Sequence, residues 1–159
     1  MPFNCLLMHC LRLGNSVTEQ GITAVFQPKH GEVALIFQTD KDEFKNRYAK
    51  QKPVSDFIFF CKKISEPPSK AVIVFVELGG NKGSKSADQL RETVTTVKNK
   101  LTGQSLGDSA HRYAVVAYSA GSAPKDHAQV IKEFRDKLGT SLKFKHAPTR
   151  IDIREVLGV

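Results

Sequence analysis

The chain has 159 residues, a length that suits one domain (1–159) with its own core, and its 40% hydrophobic and 25% charged residues are too apolar a mixture for a disordered segment. The longest apolar stretch, Val72 to Leu78, already contains Glu77 and is far shorter than the roughly 20 residues a membrane-spanning helix needs, so no membrane partner is expected. A net charge of +8, spread from Lys41 to Arg154, favours a polyanionic partner through counterion release, nucleic acid before others.

Met1 to Leu13 carries an apolar segment without a preceding basic region or a small-residue cleavage site, so it reads as a first strand or helix and a cytoplasmic location is expected. Cys5, Cys10 and Cys61 form an odd set with no CxxC pair, which points to reduced, buried thiols rather than to disulfides or zinc. Ile22 to Phe26 and Val33 to Phe37 are short apolar runs whose separation through Gln27-Pro28-Lys29-His30-Gly31 predicts a hairpin. Asp40 is placed to cap a helix with Glu43 as its partner, Phe44 and Tyr48 on one face, and Pro53 as the stop.

Ser55 to Cys61 and Ala71 to Leu78 read as buried strands joined through Pro67-Pro68. Leu90, Val94, Val97 and Leu101 follow the spacing of an amphipathic helix that begins near Ser86. Tyr113 to Tyr118 reads as a further strand, Lys125 to Leu138 as a helix, and Leu142 to Phe144 and Arg150 to Ile153 as short strands, the last at an edge. The order predicts an α/β (α+β) domain with a central mixed β-sheet flanked by helices.

Two acids stand where a sheet interior should be apolar: Asp56 near the start of one central strand and Glu77 near the end of the next. An ionised group is costly there unless it is paired or holds a metal. If the strands are antiparallel neighbours the two meet, forming a carboxylate cage for a hard cation, Mg²⁺ or Mn²⁺.

Pro53-Val54-Ser55-Asp56, followed by Phe75-Val76-Glu77-Leu78-Gly79-Gly80 and by the Gln89-Leu90 pair of the helix, resembles the PD-(D/E)XK, or restriction-endonuclease-like, nuclease superfamily over about Ser55 to Leu101. The resemblance implies a restriction-endonuclease-like fold and metal-dependent endonuclease activity on nucleic acid, DNA ahead of RNA. It leaves a homodimer open, since many such folds cut two strands as dimers. It implies Asp56 and Glu77 as metal ligands and Gln89 as a support for a metal-associated water or a phosphate. The family lysine, which orients the attacking water, belongs at position 79, where this chain has glycine. Lys82 is the favoured displaced lysine, with Lys85 and Lys62 as alternatives on long flexible stems. The other reading from the same resemblance is a catalytically inactive module that binds nucleic acid or a protein partner.

Two further motifs invite chemistry. Gly79 to Ser86 approaches a phosphate-binding loop but has Ser84 where the second glycine belongs. Ala117-Tyr118-Ser119-Ala120-Gly121 approaches a nucleophile elbow, with His127 or His146 and Asp126 or Asp152 as partners, yet lacks its first glycine.

Overall fold

The computed structural model describes residues 7–63, 71–79, 83–101, 110–118, 127–147 and 149–158. After a single 3₁₀ turn, Met8–Cys10, the elements in chain order are β1 (Leu11–Arg12), β2 (Ser16–Glu19), β3 (Ile22–Val25), β4 (Glu32–Gln38), α1 (Asp42–Phe44) continued by a π turn (Lys45–Ala49), β5 (Phe57–Lys63), β6 (Ala71–Leu78), α2 (Gly83–Leu101), β7 (Ala110–Tyr118), α3 (His127–Leu138), β8 (Ser141–His146), β9 (Arg150–Asp152) and α4 (Ile153–Leu157). Six strands form a mixed sheet in the order β1-β4-β5-β6-β7-β8, and β2-β3-β9 form a second sheet. The expected α+β architecture with a central mixed sheet is therefore present.

Chain chemistry explains the layering. β6 is apolar at nearly every position because both its faces are covered, as in sheets sandwiched between layers. One face, through Ile58, Ile73, Phe75 and Ala114, packs on Leu90, Val94 and Val97 of α2 and on Phe134 of α3. The other, through Phe57, Phe59, Val74 and Val76, packs on Ile22, Ala24 and Phe26 and on Ile153 and Leu157 of α4. Each large apolar side chain buried in this way contributes about 1.5–3 kcal/mol. β4, β5 and β6 run antiparallel to one another, whereas β6, β7 and β8 are parallel and joined by the crossover helices α2 and α3.

Three local expectations are corrected. The runs at Ile22 and Val33 are strands but not a hairpin: β3 pairs with β2 and β9, and β4 with β1 and β5. The hairpin turn is Gln20-Gly21, where both residues have positive φ, 47° and 79°. Asp40 does not cap α1; Lys41 holds that position without a side-chain cap bond. The chain leaves the π turn through Lys50 and Gln51, both left-handed at φ 49° and 64°, so the helix has ended before Pro53 is reached. Arg150–Asp152 is an edge strand, but of the smaller sheet, and Ile153 already belongs to α4. No helix among the described residues is long and apolar enough to cross a membrane.

Candidate functional site

The register pairs Phe57 with Val76, so the next position along the antiparallel ladder sets Asp56 opposite Glu77. By alternation both acids lie on the face that α2 covers, since Ile58 and Phe75 lie there. They are 9% and 5% exposed. Asp56 Oδ2 accepts the main-chain N–H of Leu78 at 2.7 Å. Glu77 Oε2 is buried and, among the described residues, accepts nothing.

A buried polar network sets Asp56 in place. Ser55 donates its N–H to Thr93 Oγ1 of α2 at 2.8 Å and its hydroxyl to the same atom at 3.1 Å, while Thr93 donates to the Gln89 carbonyl at 2.9 Å. From the other side Thr39, beyond the end of β4, donates its hydroxyl to the Ser55 carbonyl at 2.5 Å and its N–H to the Asp56 carbonyl at 2.9 Å. Gln89 Nε2 donates to the Val54 carbonyl at 3.1 Å. Gln89 thus ties α2 to Val54, two residues before Asp56, through its amide nitrogen.

The electrostatics follow from the burial. Burial pushes the Asp56 carboxyl up to about 7 against the opposing Leu78 N–H, with the charges of Asp40 and Glu19 raising it further and Lys45 lowering it. Burial, then the charge of Asp56, pushes Glu77 up to about 9, with Asp40 adding to the rise, while a hydrogen bond from the Asp56 main chain and the charge of Lys85 pull it down. Two such neighbours resist ionising together unless a proton or a cation is shared between them.

Asp40 is the acid that sequence reasoning assigned elsewhere. Its Oδ1 is buried without a partner among the described residues, and its Oδ2 lies 3.8 Å from Lys41. Thr39 bonding Asp56 is what carries Asp40 to this end of the sheet. No capping signal could have revealed that.

The candidate lysines separate by position. Lys82 lies outside the described residues. Lys62 sits opposite Val33 in β5, six residues from Asp56 (62 − 56) along an extended strand, or roughly 20 Å, and is not brought to the site. Lys85 is exposed at the start of α2 and its charge reaches Glu77. With Lys52, Pro53, Asp88, Gln89 and Glu92 it lines a cleft of about 350 Å³. Lys45, at the start of the π turn, is a cation whose charge reaches Asp56.

At position 79 the backbone is left-handed, φ 87°, and a Cβ there would lie 2.6 Å from Gln20 Cβ and 3.0 Å from its Cδ and Oε1. The place a side chain would take is already filled from the β2–β3 turn.

Much of the remaining motifs lies outside the described residues. Ser119 and Asp126 lie outside the described residues, as do Gly80, Asn81 and Cys5. Asp152 caps α4 by accepting the Arg154 and Glu155 N–H groups, and His127 and His146 pack on Phe144 and Tyr118. Cys10 and Cys61 are buried as expected, on opposite faces of the large sheet, which rules out a zinc site that uses both.

Among the described residues no three His, Cys, Asp or Glu side chains are grouped so as to hold a metal ion. Two carboxylates, one with an orphaned buried oxygen, nonetheless fit Mg²⁺ or Mn²⁺, because Mg²⁺ is ordinarily held by one or two carboxylates with water and substrate phosphate completing its shell. Protein-family models, curated proteins and solved structures all give no match to this chain.

Proposed function

We propose that this chain is a metal-dependent nuclease that hydrolyses DNA phosphodiester bonds, with Asp56 and Glu77 as the ligands of Mg²⁺ or Mn²⁺. The observation that carries the reading is the buried pair itself: Asp56 and Glu77 face each other across β5 and β6, and Glu77 Oε2 has no partner among the described residues. Asp56 and Glu77 would hold the cation, which would supply positive charge to polarise the phosphodiester and to lower the pKa of an attacking water. The likeness of the two strands to the PD-(D/E)XK pattern supports the same reading.

The chain's own residues have distinct tasks in this reading. Asp56 and Glu77 stay ionised only when a cation offsets their mutual repulsion. Ser55, Thr93 and Gln89 hold Asp56 at its place on the strand. Lys45 and Lys85 bring positive charge to the carboxylates and attract the phosphate backbone, with Lys52 on the rim of the adjoining cleft. Lys82, two residues before Ser84 in the segment that enters α2, remains the proposed displaced lysine.

A second reading has its own observation. With Gln20 against Gly79, no lysine can occupy the family position without displacing the β2–β3 turn, as suits an inactive nuclease-like module that binds nucleic acid or a protein partner. Cleavage of labelled single-stranded, double-stranded and branched DNA with Mg²⁺ or Mn²⁺ decides between them. Metal-dependent cutting that disappears in Asp56→Ala and Glu77→Ala is expected; salt-sensitive DNA binding without cutting, unchanged in both variants, overturns the nuclease.

A further inference from the structure

The β2–β3 hairpin belongs to the smaller sheet, yet its turn lies against Gly79, two residues beyond Glu77 in the chain. Glu19 and Ile22 close the hairpin, leaving Gln20 and Gly21 as a two-residue turn with positive φ at both positions. Turns of this kind favour Asn, Asp or Gly at the first position, so a glutamine at φ 47° is unusual there. Its side chain does not point away from the molecule. It lies against Gly79, with Cβ, Cδ and Oε1 all within 3.0 Å of where a Cβ of residue 79 would be. Gly79 follows Leu78, whose N–H donates to Asp56. Gln20 is also exposed, so its carboxamide is open to a ligand arriving at this end of the sheet.

We propose that Gln20 is a substrate-binding residue of this site, its carboxamide taking the position that a side chain at 79 would take and donating to a phosphate oxygen of the nucleic acid. The inference rests on the phosphodiester reading of Asp56 and Glu77. A carboxamide offers two N–H donors and one acceptor but no charge. It therefore orients a phosphate as an ammonium group would, while stabilising developing negative charge less. Glycine at 79 and glutamine at 20 are then one feature: the first leaves the space, and the second fills it from the β2–β3 turn.

The test uses the full chain and four proteins: wild type, Gln20→Gly, Gln20→Asn and Asp56→Asn. Glycine suits the left-handed turn and removes the carboxamide; asparagine tolerates the same backbone and returns the amide one methylene shorter. Single-turnover cleavage of DNA, the Kd for an uncleavable phosphorothioate oligonucleotide, Mn²⁺ binding by calorimetry and the melting temperature are measured for each. Gln20→Gly is expected to weaken oligonucleotide binding and to slow cleavage by about tenfold with Mn²⁺ binding and melting temperature unchanged, and Gln20→Asn to recover part of the loss. A loss smaller than about fivefold in Gln20→Gly, in a protein whose cutting Asp56→Asn abolishes, overturns the role of Gln20 and leaves the nuclease standing. Loss of Mn²⁺ binding or of folding in Gln20→Gly and Gln20→Asn alike also overturns it, since the side chain is then only structural. Wild type that neither cuts nor binds Mn²⁺ removes the nuclease reading, and this inference with it.

Discussion

The N–H of Leu78 donates to Asp56 Oδ2 at 2.7 Å, so the acid that precedes β5 holds β6 at the residue next to Glu77. The bond makes two substitutions at Asp56 unequal. Asp56→Asn keeps an acceptor for Leu78 and removes the buried charge that Asp56 carries above about pH 7. Asp56→Ala leaves a buried N–H unpaired, at a cost of about 1–3 kcal/mol. In metal-free melts at pH 8, Asp56→Asn is expected to match or exceed wild type in melting temperature and Asp56→Ala to fall below it by several degrees. Equal melting temperatures for the two variants would contradict this role for the bond.

The raised carboxyls set the pH dependence. In the folded chain Asp56 stands near 7 and Glu77 near 9, above their ordinary values of 3.8 and 4.5. Between about pH 4 and 9 the folded state therefore holds more protons than the unfolded state. The contribution of the pair is fully present below pH 4 and is lost as pH rises through 7 and 9. Metal-free stability from this pair declines across that window, and Glu77→Gln flattens the decline. Mn²⁺ competes with those protons, so it is expected to raise the melting temperature more at pH 8 than at pH 5.5. An equal rise at both values would argue against binding at these carboxylates.

Gly79 is required by its conformation and by its neighbour. At φ 87°, with a Cβ falling 2.6 Å from Gln20 Cβ, Gly79→Ala meets backbone strain and a clash with a turn that cannot swing aside freely. Urea denaturation should show a loss of about 1–3 kcal/mol. Gly79→Lys should lose at least as much and gain no cleavage, whereas full stability in Gly79→Ala would show that the turn yields.

Thr93 links α2 to the residue before Asp56. Thr93→Val keeps the shape and deletes the hydroxyl, leaving the buried Ser55 N–H without its acceptor. The expected loss is about 1–3 kcal/mol by denaturant titration, with slower cleavage because Asp56 is less firmly held. Thr93→Ser should restore both. A stable Thr93→Val with unaltered cleavage would show that Asp56 needs no support from α2.

Much of this was legible in the sequence where one segment's pattern sufficed. The nearly continuous apolar run of β6 marked a strand covered on both faces, and the spacing of Leu90, Val94 and Val97 marked the buried side of α2. The acids at Asp56 and Glu77 were conspicuous because charge is costly in such strands. Pairing was less legible. Ile22–Val25 and Glu32–Gln38 have similar apolar character, and nothing in that character says that they join different sheets. Gln20-Gly21 was hard to see as a turn because glutamine is uncommon at positive φ. Asp40 carried a plausible capping pattern, and its place near Asp56 arises only from the alignment of β4 with β5. Lys62 looked close to Asp56 in sequence, but an extended strand carries it to the far end of the sheet.

Calorimetric titration of Mn²⁺ into wild type, Asp56→Asn and Glu77→Gln at pH 8 tests the central claim most directly, because it reads the carboxylate pair without depending on the choice of substrate. One saturable site in wild type, lost in both variants while their folds persist, is the predicted result. No binding in wild type, or undiminished binding in both variants, would contradict a cation held between Asp56 and Glu77.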